Sequence, residues 1–279
     1  MTRLAILTPD PADETYVHRW RAAYEVYRAA FAEAGVEAIA APWIDPWPTD
    51  VAAALPVRAW GYHKQVDRWR AALAASPVRL INAAGVLAWN TDKTYLAELA
   101  AAGVPSVPTR FADQVNAAVL ADAFAAFGAE RLVVKPTISA GAWHTQVIAP
   151  GDPPPALPGP VMIQPFLHAV QGEGELSLFY FGGGFSHAAR KVATGGDFRV
   201  QPQFGGQLTA FDPDAEALGV AKQVLAAAPR GLVYARIDLI RDNDGRLCLI
   251  ELEAIEPDLF FEVDAAAAGR FVAAVLAAL

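Results

Sequence analysis

Two glutamates stand two residues apart in the run Leu249-Ile250-Glu251-Leu252-Glu253, and Asp238 stands in Tyr234-Ala235-Arg236-Ile237-Asp238-Leu239-Ile240. Side chains alternate faces along a strand, so Glu251 and Glu253 share one face. The short loop Asp242-Asn243-Asp244-Gly245 folds the two runs into a hairpin and brings Asp238 near that face. The acids interrupt apolar sequence, where uncompensated carboxylates repel one another and resist desolvation. A bound cation removes that cost. Hard carboxylate oxygens suit Mg²⁺ when a substrate phosphate supplies the remaining ligands. A solvent-facing hairpin is the alternative reading of the same residues.

Phosphate chemistry also needs cations. Lys135 ends the apolar run Leu132-Val133-Val134 and is stopped by Pro136. A lysine there suits a phosphate as a point charge on a flexible stem, or is a lysine snorkelling from a strand end. The following Thr137-Ile138-Ser139-Ala140-Gly141-Ala142 is small enough in side chain to close over a phosphate. Other phosphate and nucleophile devices are missing from the sequence: there is no P-loop, no Gly-x-Gly-x-x-Gly after the first strand, no Gly-x-Ser-x-Gly and no His-Glu-x-x-His.

The elements that must position these residues read as α/β. Arg3–Thr8 is a buried strand. Asp13 then caps a helix over 14–34, and a second strand covers 36–40. The proline- and tryptophan-rich stretch 42–56 reads as loop, 57–75 as helix and 79–82 as a short strand. Helices are expected over 91–102 and 113–127. Strands follow over 131–135, 145–148, 161–166, 175–181, 185–191 and 198–203, with Gly182-Gly183-Gly184 as a hairpin turn. A helix over 214–228, strands over 233–241 and 247–253 and a helix over 264–278 complete the chain.

The 279 residues are 54% hydrophobic and 19% charged, a globular composition. The net charge of −8 argues against nucleic-acid binding. The single cysteine, Cys248, excludes an intrachain disulfide or a Cys-type zinc site. No apolar run reaches membrane-spanning length and no signal peptide is visible, so a cytoplasmic protein without membrane partners is expected. Tryptophans between 43 and 89 mark either a homodimer interface or the N-terminal core.

The order of these pieces resembles the ATP-grasp superfamily of carboxylate–amine ligases, of the glutathione synthetase ATP-binding-domain type. Residues 82–96, which contain Lys93, resemble the family's first nucleotide-lysine segment, and Gly103-Val104-Pro105-Ser106-Val107-Pro108-Thr109 its exit. Val133-Val134-Lys135-Pro136 resembles the second lysine, and Met162-Ile163-Gln164-Pro165-Phe166-Leu167 the adenine-reading hinge. Glu175 takes the place of the ribose acid and Lys191 that of the cation on the γ-phosphate. Arg236 resembles the arginine that stabilises the tetrahedral intermediate, and Gly196-Asp197-Phe198-Arg199-Val200 with Gly205-Gly206 a stretch of the glutamate-ligase branch. The resemblance covers residues 80–260. Two features depart from the family: Glu253 replaces an asparagine and is followed by a third acid, Glu256, and the loop after Lys135 is poor in glycine. With Phe185-Ser186-His187-Ala188, this variant set resembles the subgroup that includes the cycloserine-forming ligase.

The resemblance implies a small Rossmann-like unit over 1–82, an ATP-grasp small subdomain over 83–168 and a C-terminal subdomain over 169–279. It implies ATP bound by Lys93, Lys135, Ser139, Gly141, Gln164, Phe166, Leu167, Glu175 and Lys191. Mg²⁺, or Mn²⁺ at so acidic a site, falls to Asp238, Glu251 and Glu253, and catalysis to Arg236 and Lys191. His187, Arg199 and Gln201 are the expected contacts to a small-molecule substrate, an amino acid or a derivative of one. The implied reaction makes an acyl phosphate that an amine attacks. A kinase, a cycloserine-type cyclase and a non-catalytic nucleotide-binding module are the alternatives.

Overall fold

The computed structural model describes residues 1–193 and 205–279. The strand expected over 198–203, with Arg199 and Gln201, lies outside the described residues. The first sheet has the order β2-β1-β3 and is parallel: β1 is Arg3–Thr8, β2 Glu37–Pro42 and β3 Ala53–Leu55. Five of the six β1 residues are buried, as befits a central parallel strand covered on both faces. β3 sits inside the stretch read from the sequence as loop, because three small buried residues between proline-rich flanks carry no period. Helix α1 (Trp20–Glu33) links β1 to β2.

Helix α1 begins later than expected. Asp13 does not cap it, but accepts a hydrogen bond from Thr15 N at 3.0 Å and pairs with Lys64 at 2.8 Å. Residues 14–19 are therefore turns, which leaves Tyr16 and Arg19 off any helix. Helix α2 (Val66–Ala74) likewise starts late, after a 3₁₀ turn over Tyr62–Gln65. Gly61 before that turn has φ +88°, and a Cβ there would meet Asp13 Oδ2 at 2.9 Å, so the close approach of the two loops requires glycine. The strand expected over 79–82 is reduced to a bridge from Leu80 to Ala54. Trp43, Trp47 and Trp69 are buried among Leu7, Leu73 and Leu87, which answers the question of the tryptophans for these three in favour of the core.

Helices α3 (Ala84–Asn90) and α4 (Tyr95–Ala101) flank Lys93. The expected helix over 91–102 shortens to α4, while α3 arises where no helix was expected. The second sheet is antiparallel in the order β4-β7-β5-β6, with β4 Arg110–Ala112, β5 Leu132–Pro136, β6 Gln146–Ile148 and β7 Val161–Pro165. Helix α5 (Ala117–Phe127) is capped by Asn116, whose side chain accepts from Val119 N at 3.0 Å.

The third sheet is antiparallel in the order β10-β9-β8-β11-β12, from β8 Glu175–Phe181, β9 Gly184–Val192, β10 Gln207–Ala210, β11 Tyr234–Arg241 and β12 Leu247–Glu253. Gly182 and Gly183 turn β8 into β9 with φ of 58° and 79°, the left-handed pair a two-residue hairpin needs. Helix α6 (Ala215–Ala227) is capped by Asp214. Helix α7 (Ala267–Ala277) returns to α1, where Phe271 packs on Tyr27 and Phe31.

Strand β12 is an edge strand, yet its outer backbone is not left open. Tyr95 Oη donates to Leu252 O at 2.8 Å and accepts from Leu252 N at 2.9 Å. Asn90 donates to Leu252 O and accepts from Ala254 N, both at 2.8 Å. Asn82 donates to Ala254 O and Tyr234 O at 2.9 Å and accepts from Val233 N and Tyr234 N. Beyond the backbone bridge of Leu249 to Pro105 and Val107, three side chains thus replace a neighbouring strand and fix the residues that carry Glu251 and Glu253. Asn82→Leu strands several buried backbone groups, so it should lower unfolding free energy by about 3 kcal/mol in urea titration. A loss below about 1 kcal/mol would show that the clamp is not structural.

Candidate active site

Hairpin β11–β12 opposes Asp238 to Glu251 and Arg236 to Glu253, so one face carries three acids and an arginine. Across β8 and β9, Glu175 opposes Lys191 and points its carboxylate at the ammonium, 2.8 Å away. Lys191 Nζ also reaches Asp238 at 3.1 Å. Asp238 further accepts from Ser177 Oγ at 2.6 Å and from Arg236 Nη2 at 2.9 Å. Arg236 Nη2 also pairs with Glu253. Lys93 reaches Glu251 at 3.3 Å and donates to the backbone carbonyl of Ser139.

These groups line one cavity of about 620 Å³. One end is apolar, with Val133, Phe166, Leu167, Ile240 and Ile250. The middle holds Lys93, Lys135, Lys191, Ser139, Gly141 and the acids. The far end is formed by Tyr16, Arg19, Trp60, Tyr62, Glu256 and Asp258. Lys135 has no ion-pair partner among the described residues. Burial pushes its pKa down, and neighbouring Lys93 adds to this against the pull of Glu251. A half-buried cation with no carboxylate of its own is poised for an anion.

The acids differ in charge state. Burial raises the carboxyl of Asp238, but Arg236 and Lys191 outweigh it and hold the group well below the usual range. Glu251 is lowered in the same way by Lys93 and Lys135. Glu253 is pushed up to about 7 by burial and by its neighbours Glu251 and Asp238, against Arg236. Glu256 is pushed up to about 8 by burial and Glu253.

No three His, Cys, Asp or Glu side chains converge as a ready metal cage among the described residues. The donor set nevertheless fits Mg²⁺, which takes one or two carboxylates and completes its shell with phosphate and water. Glu251 and Glu253 keep about a quarter of their side-chain surface open, whereas Asp238 is buried among Ser177, Lys191 and Arg236. Asp238 enters a metal's shell only by giving up one of these partners.

No family model matches the chain. Its fold matches D-alanyl-alanine synthetase A of Vibrio cholerae O1 with a TM-score of 0.70 at 13% identity, over 99% of this chain and 97% of that one. It matches the ATP-grasp ligase PsnB, solved with Mg and ADP, with a TM-score of 0.65 at 15% identity, over 100% and 99% of the two chains. The cycloserine biosynthesis protein DcsG of Streptomyces lavendulae is 33% identical over 216 residues, 71% of this chain and 72% of that protein. The crystal structure of D-cycloserine synthetase DcsG superposes with a TM-score of 0.79 at 27% identity over 98% of both chains. The chain belongs to the ATP-grasp ligases. As an ATP-grasp ligase it is an enzyme that joins carbon to nitrogen at the expense of ATP.

The ATP-grasp residues expected from the sequence line this cavity together: Lys93, Lys135, Ser139, Gly141, Gln164, Phe166, Leu167, Glu175, Lys191, Arg236, Asp238, Glu251 and Glu253. His187 does not. It is buried, stacked on Phe179 at 4.2 Å, with Nε2 bonded to Leu259 O at 2.9 Å and Nδ1 to Ser186 Oγ at 2.9 Å. With both ring nitrogens engaged inside the protein it meets no substrate in this arrangement. Arg199 and Gln201 lie outside the described residues. The cavity wall adds Tyr16, Arg19, Trp60 and Tyr62, which no motif marked because they sit in loops shaped by contacts distant in sequence. Glu256 is the third acid of the departure noted above, whereas nothing in the sequence marked Asp258.

The raised carboxyl of Glu256 has a consequence for stability. A group that binds its proton more tightly folded than unfolded stabilises fully below its ordinary value and loses that contribution as pH rises from about 4.5 through about 8. Glu256→Gln should therefore raise the Tm of the ligand-free protein more at pH 9 than at pH 5. Equal changes at both values, read by calorimetry, would contradict the assigned charge state.

Proposed function

We propose that this ATP-grasp ligase activates the carboxylate of a small molecule as an acyl phosphate and joins it to an amine of the same or a second molecule, with release of ADP and phosphate. The observation that carries this reading is the gathering of Lys93, the unpaired Lys135, Lys191 and Arg236 around carboxylates in one cavity with an apolar end. A non-catalytic module has no use for Arg236 beside the metal-type acids.

The roles follow position. Val133, Phe166, Ile240 and Ile250 sandwich a base, and Leu167 N–H, which finds no acceptor among the described residues, is free to donate to it. The Phe166 N–H and C=O are already taken by Arg131 O and Asn243 Nδ2, and Gln164 is paired with Val133 in the β5–β7 ladder, so adenine readout falls to the Leu167 N–H. The Gln164 side chain is turned to Thr109 Oγ1 at 2.9 Å. Glu175 faces the ribose. Lys93, Lys135 and Lys191 neutralise phosphate oxygens while the substrate carboxylate attacks, and positioning with electrostatics supplies most of the rate. Ser139 and Gly141 bring the loop after β5 over the phosphates. Glu251 and Glu253, with Asp238 behind them, would hold Mg²⁺, or Mn²⁺ on the same oxygens. When bound, the metal supplies charge neutralisation at the phosphates. Arg236 steadies the oxygen that gains charge when the amine adds.

In this reading residues 1–82 form the leading α/β unit, 83–168 bring the nucleotide lysines and hinge, and 169–279 bring the acids and Arg236. The enzyme works in the cytoplasm on an amino acid or derivative. No helix among the described residues is long and apolar enough to cross a membrane. Intramolecular ring closure is a second reading, favoured by the likeness to DcsG.

ATP with Mg²⁺ should raise the Tm, because a ligand of the native state stabilises it by mass action. Lys135→Ala should weaken that shift and slow all chemistry. Arg236→Ala should leave ATP affinity within a few-fold but cut product formation by roughly 10²–10³, with an acyl phosphate that hydroxylamine traps. Normal turnover with lost ATP affinity in Arg236→Ala would assign it to the nucleotide and favour a kinase. Glu251→Gln should remove turnover in an ADP-release assay while the fold survives, and wild-type rate in that variant would refute the metal assignment.

A further inference from the structure

Every acid that lines the cavity but one is paired. Glu175 and Asp238 meet Lys191, Glu251 meets Lys93, Glu253 meets Arg236, and Asp258 meets Arg58 at 3.4 Å. Glu256 lines the same wall and has no hydrogen bond or ion pair among the described residues. The cations whose charge it feels are Arg58, Arg236 and Lys93; each pairs with another acid, and Arg58 does so through Nη2 alone, its Nε and Nη1 keeping no hydrogen-bond partner.

Its surroundings select what kind of cation completes it. Glu256 stands near Tyr16 and Tyr62, both of whose hydroxyls its charge disfavours from ionising, and Trp60 lines the same end. Tyr16 and Trp60 pack ring to ring at 5.7 Å, and both already take cations: Lys64 over Tyr16 at 5.0 Å and Arg58 over Trp60 at 5.1 Å. Aromatic walls favour an alkylammonium, whose charge they stabilise and whose carbons they cover. They offer nothing to Mg²⁺, which wants oxygen ligands and keeps its water. Arg19 lines the same end and has no carboxylate partner among the described residues.

We infer that Glu256 is the specificity-determining residue of this ligase, pairing with a protonated amino group of the substrate that is not the attacking nucleophile, so that small amino-bearing substrates are taken and their des-amino analogues refused. The inference rests on the ligase reading for the assignment of this end of the cavity to substrate.

The test measures thermal shift and titration calorimetry with and without a non-hydrolysable ATP analogue and Mg²⁺. The probes are the D and L forms of serine and of 2,3-diaminopropionate, and ethanolamine, against glycerate and propionate. An amine-bearing probe should shift the wild type and the des-amino acids should not. Glu256→Gln should keep the full nucleotide shift and the same Mg²⁺ requirement while binding the amine roughly ten- to hundred-fold more weakly. Glu256→Asp should restore part of that binding. The inference is overturned if glycerate or propionate binds as well as the amines, if no amine binds, if Glu256→Gln keeps the amine response, or if its Mg²⁺ requirement changes instead. Loss of the nucleotide shift in the wild type refutes the ligase reading alone, since the arms without nucleotide still report on Glu256.

Discussion

Carboxylates on one face of an internal hairpin stay charged only if cations surround them. Asp238 and Glu251 meet this condition, with Lys191 and Arg236 around the first and Lys93 and Lys135 around the second. Breaking one side of such a set leaves buried charge uncompensated, which costs more than the pair contributes when intact. The cavity is therefore a balanced electrolyte, and its two unbalanced members are informative. Among the described residues Lys135 and Glu256 form no ion pair within 4 Å, although each feels charges of the opposite sign. Lys135 stands among the cations in the middle of the cavity and Glu256 beside the aromatic wall, as expected of an enzyme that brings the phosphates of a nucleotide to a second molecule.

The scaffold serves that balance. Asn90 and Tyr95 cover the outer edge of β12 at Leu252, Asn82 continues the cover at Ala254 and the backbone of Pro105 and Val107 takes Leu249, so the segment that carries Lys93 is tied to the strand that carries Glu251. The same contacts guard an exposed strand edge against pairing with another chain. The loop after β5 closes the ring from the second sheet, where Lys93 N donates to Thr137 O at 2.9 Å and the Lys93 ammonium holds the Ser139 carbonyl. One lysine thus reads both the acid hairpin and the phosphate loop.

Legibility in the sequence followed the range of the interactions. The hairpin acids were visible because strand alternation and a four-residue turn are local rules, and the observed register opposes Asp238 to Glu251. Lys135 was visible as a charge at the end of an apolar run. Helix α1 was placed too early because Asp13 resembles a cap, whereas its partner is Lys64, distant in sequence. That error hid Tyr16 and Arg19. His187 was expected at the substrate on the strength of the resemblance, and its partner, the Leu259 carbonyl, lies 72 residues away. Strand β3 was missed because alanines and one leucine between prolines carry no pattern.

The central claim is that a carboxylate oxygen of the substrate becomes bonded to the γ-phosphorus before nitrogen replaces it. It is tested most directly by ¹⁸O transfer, using the acid that supports ADP release with its carboxylate labelled. One labelled oxygen should appear in inorganic phosphate for each product formed, since the acyl phosphate breaks between carbon and that oxygen. Label retained wholly in the product, with unlabelled phosphate released, would contradict acyl-phosphate chemistry at this site.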